Sequence, residues 1–199
     1  MYILVYMNLE EILKEARSEK IPVMLDDGIV FLCDFIKSNE DIHRILEIGT
    51  AVGYSAMQMA MIRPDIEIDT LEINEELADR AVHNIQDNHL EDRIHVHVTD
   101  AMAYQTDVIY DMIFVDAAKA QYAKYMEHFL KNTEKGSWFV FDNLQFHGMV
   151  DNPSLTRNRG TLQMLKKIRV FREQIQTDPR FNTEYFADKG DGIAISQVL

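Results

Sequence analysis

The sequence predicts an α/β protein built on a doubly wound, mainly parallel sheet of seven strands, one of which runs antiparallel to the rest. Short apolar runs typical of buried strands alternate along the chain with amphipathic stretches of helical periodicity. This alternation requires crossover connections, which join parallel strands and place helices on both faces of the sheet. The last two strand candidates are separated only by the turn DKGDG, so the final strand should pair with its predecessor as a hairpin.

Helices are predicted near the start of the chain and then between most of the strands. The predicted helices cover residues 9–19, 23–37, 54–62, 75–88, 121–130 and 160–176. The predicted strands cover residues 44–49, 66–73, 93–98, 111–116, 137–142, 182–187 and 192–198. Because no repeat, low-complexity tract or flexible linker divides the 199 residues, we predict a single domain, in which residues 1–40 precede an α/β core of residues 41–199.

The composition is that of a folded globular protein, with 47% hydrophobic and 27% charged residues. The net charge of −13 argues against non-specific attraction to nucleic acid or to anionic membranes. The apolar start MYILVYM lacks the basic region and cleavage site of a signal peptide, and no apolar run reaches the roughly 18–20 residues of a membrane span. A single cysteine, Cys33, excludes an internal disulfide, and together these features predict a cytoplasmic protein without membrane contact.

One segment departs from the acidic character of the chain. Between residues 150 and 175 six basic residues face two acidic ones, for a local charge of +4. The basic residues are Arg157, Arg159, Lys166, Lys167, Arg169 and Arg172. Two interpretations remain open: a cationic surface for the phosphates of a nucleic acid or a coenzyme A ester, or the solvated face of an amphipathic helix.

Polar residues stand at the ends of nearly all the predicted parallel strands. They are Glu47, Glu72, Asp100, Asp116 and the pair Asp142 and Asn143. In a sheet of this kind, ligands bind beyond the carboxyl ends of the strands, at the point where strand order reverses. The polar strand ends therefore predict a ligand site along one edge of the sheet.

The segment LEIGTAVGYSA, residues 46–56, combines an apolar strand, a turn with Gly49 and Gly53, and the start of a helix. Glycines let the backbone approach a ligand closely, and the first amides of a helix attract an anionic group such as a carboxylate. Glu72 follows Gly53 by 19 residues at the end of the next strand, where a carboxylate can bind ribose hydroxyls. The spacing favours a nucleoside cofactor, and the alternative is a tight turn beside a solvated strand end.

The acidic residue Glu47, just ahead of this turn, narrows the choice of cofactor. A dinucleotide requires a G-x-G-x-x-G turn for its pyrophosphate, whereas this turn has the pattern G-x-A-x-G. A carboxylate at this strand end would repel a diphosphate but attract an ammonium group. S-adenosylmethionine (SAM) carries both an ammonium and a carboxylate and therefore fits the combination.

The strand of residues 137–142 ends in Asp142 and Asn143, and the strand before it ends in Asp116. Three hard oxygen donors, two of them anionic, suit Mg²⁺ or another hard divalent cation, whereas zinc prefers nitrogen and sulfur. A cation would also give a buried Asp142 carboxylate the partner that it needs. For the Asp-Asn pair alone, the alternative is an ordinary turn that caps a strand.

The motifs LEIGTAVGYSA, FVDAAKAQY, FDN and GDGIAIS, in this order and spacing, resemble the metal-dependent class I O-methyltransferases of the catechol and caffeoyl-CoA type. Within that group the sequence is most similar to the bacterial tRNA 5-hydroxyuridine methyltransferases, which act on the wobble uridine. The resemblance covers nearly the whole chain. It implies a Rossmann-like class I methyltransferase fold, a helical lid formed by residues 1–40, SAM and Mg²⁺ as cofactors, and a homodimer as a further expectation.

The resemblance also implies roles for individual residues. The implied cofactor-binding residues are Val23, Glu47, Gly49, Gly53, Ser55, Glu72, Asp100, Ala101 and Asp116. The implied metal ligands are Asp116, Asp142 and Asn143, and the implied catalytic residues are Lys119 and Asp116. His147, Arg157 and Arg159 follow the metal ligands along the chain, so we place them at the mouth of the acceptor site.

Methyl transfer from SAM is an in-line displacement in which the sulfonium leaves as a neutral thioether, so only the acceptor hydroxyl needs activation. A divalent cation lowers the pKa of that hydroxyl, and Lys119 can take or screen its proton. Three hypotheses remain: methylation of 5-hydroxyuridine in the tRNA anticodon region, methylation of a catechol-like or CoA-linked small molecule, and a non-catalytic SAM-binding partner module. The joint presence of the implied catalytic and metal-binding residues argues against the third.

Overall fold

Seven strands form one sheet in the computed structural model, which describes the backbone of residues 2–199 and the side chains from Leu9 onward. The strands are β1 Arg44–Ile48, β2 Glu67–Glu72, β3 Ile94–Val98, β4 Met112–Val115, β5 Trp138–Phe141, β6 Phe181–Phe186 and β7 Ile193–Val198. Their order across the sheet is β3-β2-β1-β4-β5-β7-β6. Neighbours among β1 to β5 run parallel, and β7 runs antiparallel to both β5 and β6. The predicted fold class, including the reversed final strand, is confirmed.

Six α-helices connect or flank the strands. They are α1 Tyr2–Ser18, α2 Asp26–Ser38, α3 Tyr54–Ala60, α4 Glu75–Asp87, α5 Tyr122–Phe129 and α6 Arg159–Thr177. The second helix begins three residues later than the sequence predicts, because Leu25 is extended and the acidic Asp26 and Asp27 form the first turn, where they favour the helix dipole. No helix among residues 2–199 combines the length and the apolar character needed to cross a membrane.

Helices cover both faces of the sheet, which explains why its middle strand, β4, is apolar throughout. On one face, α1 to α4 pack on residues such as Met112 and Phe114. On the other face, α5 and α6 pack on Ile113 and Val115, the alternate residues of the same strand. All four residues of β4 are therefore buried, and the polar groups of the chain concentrate at the strand ends.

Strand order reverses between β1 and β4, so the crevice for a ligand opens where these two strands end. The residues that follow these two strands approach each other there through main-chain atoms. A Cβ atom on Gly49, whose φ is 107°, would lie 2.2 Å from the carbonyl oxygen of Asp116. Only glycine fits this position, because both the space and the left-handed backbone exclude a side chain.

Candidate active site

A cavity of about 370 Å³ lies at the carboxyl ends of β1, β2 and β4. The segment between α1 and α2 closes one side of it with Val23 and Met24. The predicted cofactor-binding residues that line the cavity are Val23, Gly49, Ser55, Glu72, Asp100, Ala101 and Asp116. The sequence-predicted residues Glu47 and Gly53 do not line it; Gly53 sits at the start of α3 against Ala81.

Glu72 ends β2 with its carboxylate held in place by two backbone amides. Its Oε2 accepts a hydrogen bond from the Ala51 N–H at 2.9 Å, and its Oε1 accepts one from the Asn74 N–H at 2.9 Å. A carboxylate oxygen accepts more than one hydrogen bond, so each retains capacity toward the cavity. Glu72 is thus oriented in advance for a ligand with hydroxyl groups.

Part of the cavity wall is apolar. Leu71, Ile73, Leu77 and Ala101 contribute apolar surface. At the rim, the Oδ1 atom of Asp100 accepts a hydrogen bond from the Met102 N–H at 2.8 Å, which fixes this carboxylate. Apolar walls with a few fixed polar groups are typical of small-molecule sites.

Glu47 lies behind the cavity wall and is completely buried. Ser55 donates a hydrogen bond of 2.5 Å to its Oε1, and the Thr70 hydroxyl donates to its Oε2. Burial raises the pKa of the Glu47 carboxyl to about 7, while the two hydroxyl hydrogen bonds oppose the shift. Through Ser55, which does line the cavity, Glu47 is one hydrogen bond away from a bound ligand.

Four polar side chains converge at the ends of β4 and β5. The Lys119 ammonium lies 3.2 Å from Asp116 Oδ1. The Asn143 Nδ2 donates to Asp116 Oδ1 at 2.8 Å and to Asp142 Oδ2 at 2.9 Å. Asp142 is only 1% exposed, and burial together with the nearby Asp116 carboxylate raises the pKa of its carboxyl group. The structure thus brings together the predicted metal ligands and the predicted catalytic lysine.

The donor set at this edge fits a hard divalent cation. Asp142 Oδ1 is buried and has no hydrogen-bond partner among residues 9–199, which is costly for a carboxylate oxygen unless a cation or a water molecule completes it. In the described part of the chain, no three His, Cys, Asp or Glu side chains lie close enough to hold a metal ion. A third protein donor to such a cation would have to be an amide oxygen, which Asn143 could supply if its side-chain amide turned over.

The predicted acceptor-site residues lie on the loop after β5 and at the start of α6. His147 is exposed, and its backbone N–H donates to Asp191. Arg157 and Arg159 are also exposed, and Arg159 is the first residue of α6. Among residues 9–199, neither arginine forms an ion pair with a carboxylate.

The basic segment of residues 150–175 is only partly available to a ligand. Arg169 donates to the carbonyl oxygen of Val150, and Arg172 pairs with Asp151 at 2.5 Å. These two arginines therefore hold the preceding loop against α6. Lys166 and Lys167 are exposed on the same helix and extend the free cationic surface that begins at residue 157.

Sequence reasoning missed three polar residues next to the site. Thr70 binds Glu47 from the middle of β2, and the Tyr122 hydroxyl donates to the Asp142 carbonyl oxygen at 2.9 Å. Asp191, in the turn between β6 and β7, is 6% exposed although its setting between two glycines predicts an ordinary solvated turn. Only the period-2 pattern of β2 could have indicated an inward-facing Thr70.

Comparison with known proteins gives a family. A family model described as O-methyltransferase matches residues 4–198. The flavonoid 3',5'-methyltransferase of Vitis vinifera is 27% identical, and the match spans 94% of this chain and 85% of that protein. The caffeoyl-CoA O-methyltransferase of Stellaria longipes is also 27% identical, over 73% of this chain and 65% of that protein. The catechol O-methyltransferase of Mycobacterium tuberculosis is 29% identical, over 75% of this chain and 71% of that protein.

Solved structures agree with this assignment. A candidate caffeoyl-CoA O-methyltransferase from Staphylococcus aureus superposes with a TM-score of 0.90 at 32% identity, covering 96% of this chain and 92% of that one. An O-methyltransferase from Bacillus cereus, solved in complex with SAH, gives a TM-score of 0.81 at 27% identity, covering 97% and 91%. The cavity at the ends of β1, β2 and β4 thus belongs to a fold that binds SAM-derived ligands.

Proposed function

The chain belongs to the O-methyltransferase family and is a SAM-dependent enzyme of that class, and we propose that it methylates a hydroxyl oxygen held by Mg²⁺ or another hard divalent cation. We propose 5-hydroxyuridine at the tRNA wobble position as the acceptor. The observation that carries the cation proposal is the convergence of Asp116, Asp142 and Asn143 beside Lys119 and the cavity.

In this proposal the residues of the chain divide the work between donor and acceptor. Glu72 receives the ribose hydroxyls with a carboxylate that two backbone amides already orient. Asp116, Asp142 and Asn143 would hold the cation, which when bound lowers the pKa of the acceptor hydroxyl and fixes its place. Because donor and acceptor sit on adjacent strand ends, the fold aligns the two reactants and contributes through proximity.

Lys119 has the proton-handling role in this proposal. Its Nζ lies 3.2 Å from Asp116 Oδ1, and this contact keeps the ammonium between the cavity and the cation ligands. From there the lysine can take the proton of the acceptor hydroxyl or screen the negative charge that develops on its oxygen. The leaving thioether of SAM needs no proton, so a single proton-accepting group suffices.

The exposed cations beside the site favour a phosphate-bearing acceptor. Arg157, Arg159, Lys166 and Lys167 are exposed on the segment that follows the predicted metal ligands. Such a surface contacts phosphate oxygens and positions a nucleic acid without reading its sequence. It is a local surface on a chain whose net charge is −13, so binding should depend on contact rather than on long-range attraction.

A small-molecule acceptor is the second candidate, and the named relatives favour it. Those relatives are described as caffeoyl-CoA, flavonoid and catechol O-methyltransferases. A coenzyme A ester would also find phosphate contacts on the exposed cations. The cation site and the cavity serve both candidates equally, so only the acceptor distinguishes them.

The deciding experiment follows labelled methyl from SAM, with Mg²⁺ and with a chelator, to tRNA containing 5-hydroxyuridine and to a simple catechol. We expect Mg²⁺-dependent labelling of the tRNA at low enzyme concentration. Labelling of the catechol alone would replace the tRNA proposal with the small-molecule one. Full activity in chelator toward either acceptor would contradict the cation.

A double variant tests the cationic surface. Arg157→Ala with Arg159→Ala should lower tRNA affinity and reduce the slope of log affinity against log salt by about 2, one unit for each lost phosphate contact. The matched control, Lys37→Ala with Lys135→Ala, removes two exposed cations at the opposite edge of the sheet and should leave the slope unchanged. Equal slopes for both double variants would exclude the arginines from the tRNA interface.

A further inference from the structure

The turn between β6 and β7, residues 187–192, packs against the loop after β5, residues 143–148, which we term the acceptor-side loop. Backbone hydrogen bonds join them: the Leu144 N–H donates to the Gly192 carbonyl at 2.9 Å and the Gln145 N–H donates to the Asp191 carbonyl at 2.8 Å. The Asp191 side chain adds a third link, because its Oδ1 accepts from the His147 N–H at 2.6 Å. The β6–β7 turn thus acts as a template for the acceptor-side loop.

The acceptor-side loop needs such a template because its backbone is strained. Asn143, Phe146 and His147 have φ values of 61°, 47° and 55°, a region that residues with side chains rarely adopt. Conformations of this kind persist only where the surroundings hold them, and they concentrate at ligand-binding sites. The Asp191 side chain therefore supports the loop that carries the predicted ligand Asn143.

The second carboxylate oxygen of Asp191, Oδ2, is not used in this contact with the His147 N–H. The side chain is 7% exposed, and its Oδ2 has no hydrogen-bond partner among residues 9–199; the imidazole Nδ1 of the largely exposed His147 is 3.7 Å away. Asp142 lies on the other side of the same turn, since a Cβ atom on Gly190 would be 3.3 Å from Asp142 Oδ1. Two buried carboxylate oxygens without partners among residues 9–199 thus belong to this region: Asp142 Oδ1, beside Gly190, and Oδ2 of the next residue, Asp191.

We infer that Asp191 is a positioning residue of the cation site: Oδ1 holds the acceptor-side loop, and Oδ2 accepts a hydrogen bond from a water molecule of the bound cation. Asp191 is not assigned as a direct ligand, because no three acidic, His or Cys side chains of the described chain converge on one point. Mg²⁺ keeps several water ligands when few protein oxygens bind it, and those waters need acceptors. This inference rests on the divalent cation proposed above.

The test replaces Asp191 with asparagine and measures Mn²⁺ binding by calorimetry. The amide oxygen of Asp191→Asn can still accept from the His147 N–H, while its NH₂ group removes the acceptor and the charge at Oδ2. We expect the Kd for Mn²⁺ to rise about tenfold, as for other outer-sphere partners, with SAM affinity unchanged. Asp188→Asn is the matched control, since Asp188 lies in the same turn with a side chain that is 81% exposed.

A second variant keeps the test decisive if Asp191→Asn perturbs folding. Asp191→Glu retains the charge and an acceptor, and we expect it to bind Mn²⁺ more tightly than Asp191→Asn does. Unchanged Mn²⁺ affinity in Asp191→Asn, or equal losses in both variants, would overturn the inference and leave the cation proposal intact. If calorimetry detected no Mn²⁺ binding to the wild-type protein, as expected for Asp142→Ala, the cation proposal and the inference would both fail.

Discussion

Two buried carboxylates, at the ends of β1 and β5, satisfy their oxygens in different ways. Glu47 has a hydrogen-bond donor for each oxygen, from Ser55 and from Thr70. Asp142 receives the Asn143 amide on Oδ2 but has no partner for Oδ1. Burial raises the pKa of both carboxyl groups, so the cost of a buried charge is common to the two sites. The chain thus supplies a hydrogen-bond donor to each oxygen of Glu47, whereas one oxygen of Asp142 has no donor among residues 9–199.

This difference separates the two halves of the active site. On the cofactor side, the chain's own hydroxyl and amide donors hold Glu47 and Glu72. On the acceptor side, the carboxylates of Asp116 and Asp142 share only the Asn143 amide and the Lys119 ammonium. The cofactor side should therefore be formed before ligands bind, whereas we expect the acceptor side to be completed by the proposed cation.

The largest expected effect comes from Asp142→Asn, which removes the charge at the incomplete site. We expect turnover with Mg²⁺ to fall at least about 100-fold, because the cation stabilises charge in the transition state by several kcal/mol. SAM affinity, measured by calorimetry, should stay within about twofold because Asp142 does not line the cavity. The same variant should raise the Tm of the ligand-free protein, since a neutral amide avoids the cost of a buried charge.

If Asp142→Asn turned over at the wild-type rate, the contrast drawn between Glu47 and Asp142 would be wrong, because the unpaired Asp142 Oδ1 would then have no role in turnover. A loss of SAM affinity that matched the loss of turnover would instead place Asp142 on the cofactor side. Asp142→Ala serves as the harsher companion, since it also removes the contact with the Asn143 amide.

The next effect is on stability and comes from Glu47→Gln, the corresponding change at the completed site. Burial raises the pKa of Glu47 from 4.5 to about 7, so between these pH values the folded protein keeps a proton that the unfolded chain has lost. The free energy of unfolding therefore falls as pH rises across this window and levels off above pH 7. Glutamine removes this loss, so the variant should be more stable at pH 8 by up to about 3 kcal/mol.

Urea unfolding of both proteins at pH 8 and pH 4 measures this prediction. Near pH 4 the two should be equally stable, because Glu47 is then protonated in the folded state and largely so in the unfolded one. SAM affinity should fall about tenfold if Glu47 attracts the ammonium group, as the sequence predicts, and hydroxyls that both donate and accept should keep the glutamine in place. Unchanged SAM affinity would make Glu47 a purely structural residue.

The most confined effect in this series, on SAM affinity alone, is expected from Glu72→Ala, at the carboxylate that faces the cavity. The variant would lose the charged hydrogen bonds that we propose between Glu72 and the ribose, worth about 1.5–3 kcal/mol, so SAM affinity should fall roughly 10- to 100-fold. Mn²⁺ affinity should be unchanged, because Glu72 is on the cofactor side. Glu67→Ala, at the exposed opposite end of the same strand, is the matched control and should leave both affinities as they are.

The sequence predicted the sheet well because its signals were local. Apolar runs located every strand, and the six residues between β6 and β7 left room for only a hairpin connection. The predicted ligand edge followed from the same pattern, since the carboxyl ends of parallel strands must lie together. Periodicity was weaker at helix starts, where Val23 fitted the helical pattern but lies in the extended segment that lines the cavity.

What the sequence could not predict depends on contacts between distant segments. Asp191 becomes buried only when the β6–β7 turn packs on the loop after β5. Asp191 and His147, which are joined there by a hydrogen bond, are 44 residues apart in the sequence. The removal of Arg169 and Arg172 from the basic surface likewise requires the loop at Val150 and Asp151 to pack on α6. Charge counts along the chain cannot distinguish a cation that binds a carbonyl from one that is free.

The close approach of Gly49 to Asp116 fixes the distance between the ends of β1 and β4. The donor half and the acceptor half of the site touch there through main-chain atoms, so their separation does not depend on any side chain that substitution could exchange. Substitutions in the loops beyond β5 leave this contact unchanged, because neither Gly49 nor the Asp116 carbonyl belongs to those loops. The loops can therefore vary in sequence while the ends of β1 and β4 keep their spacing.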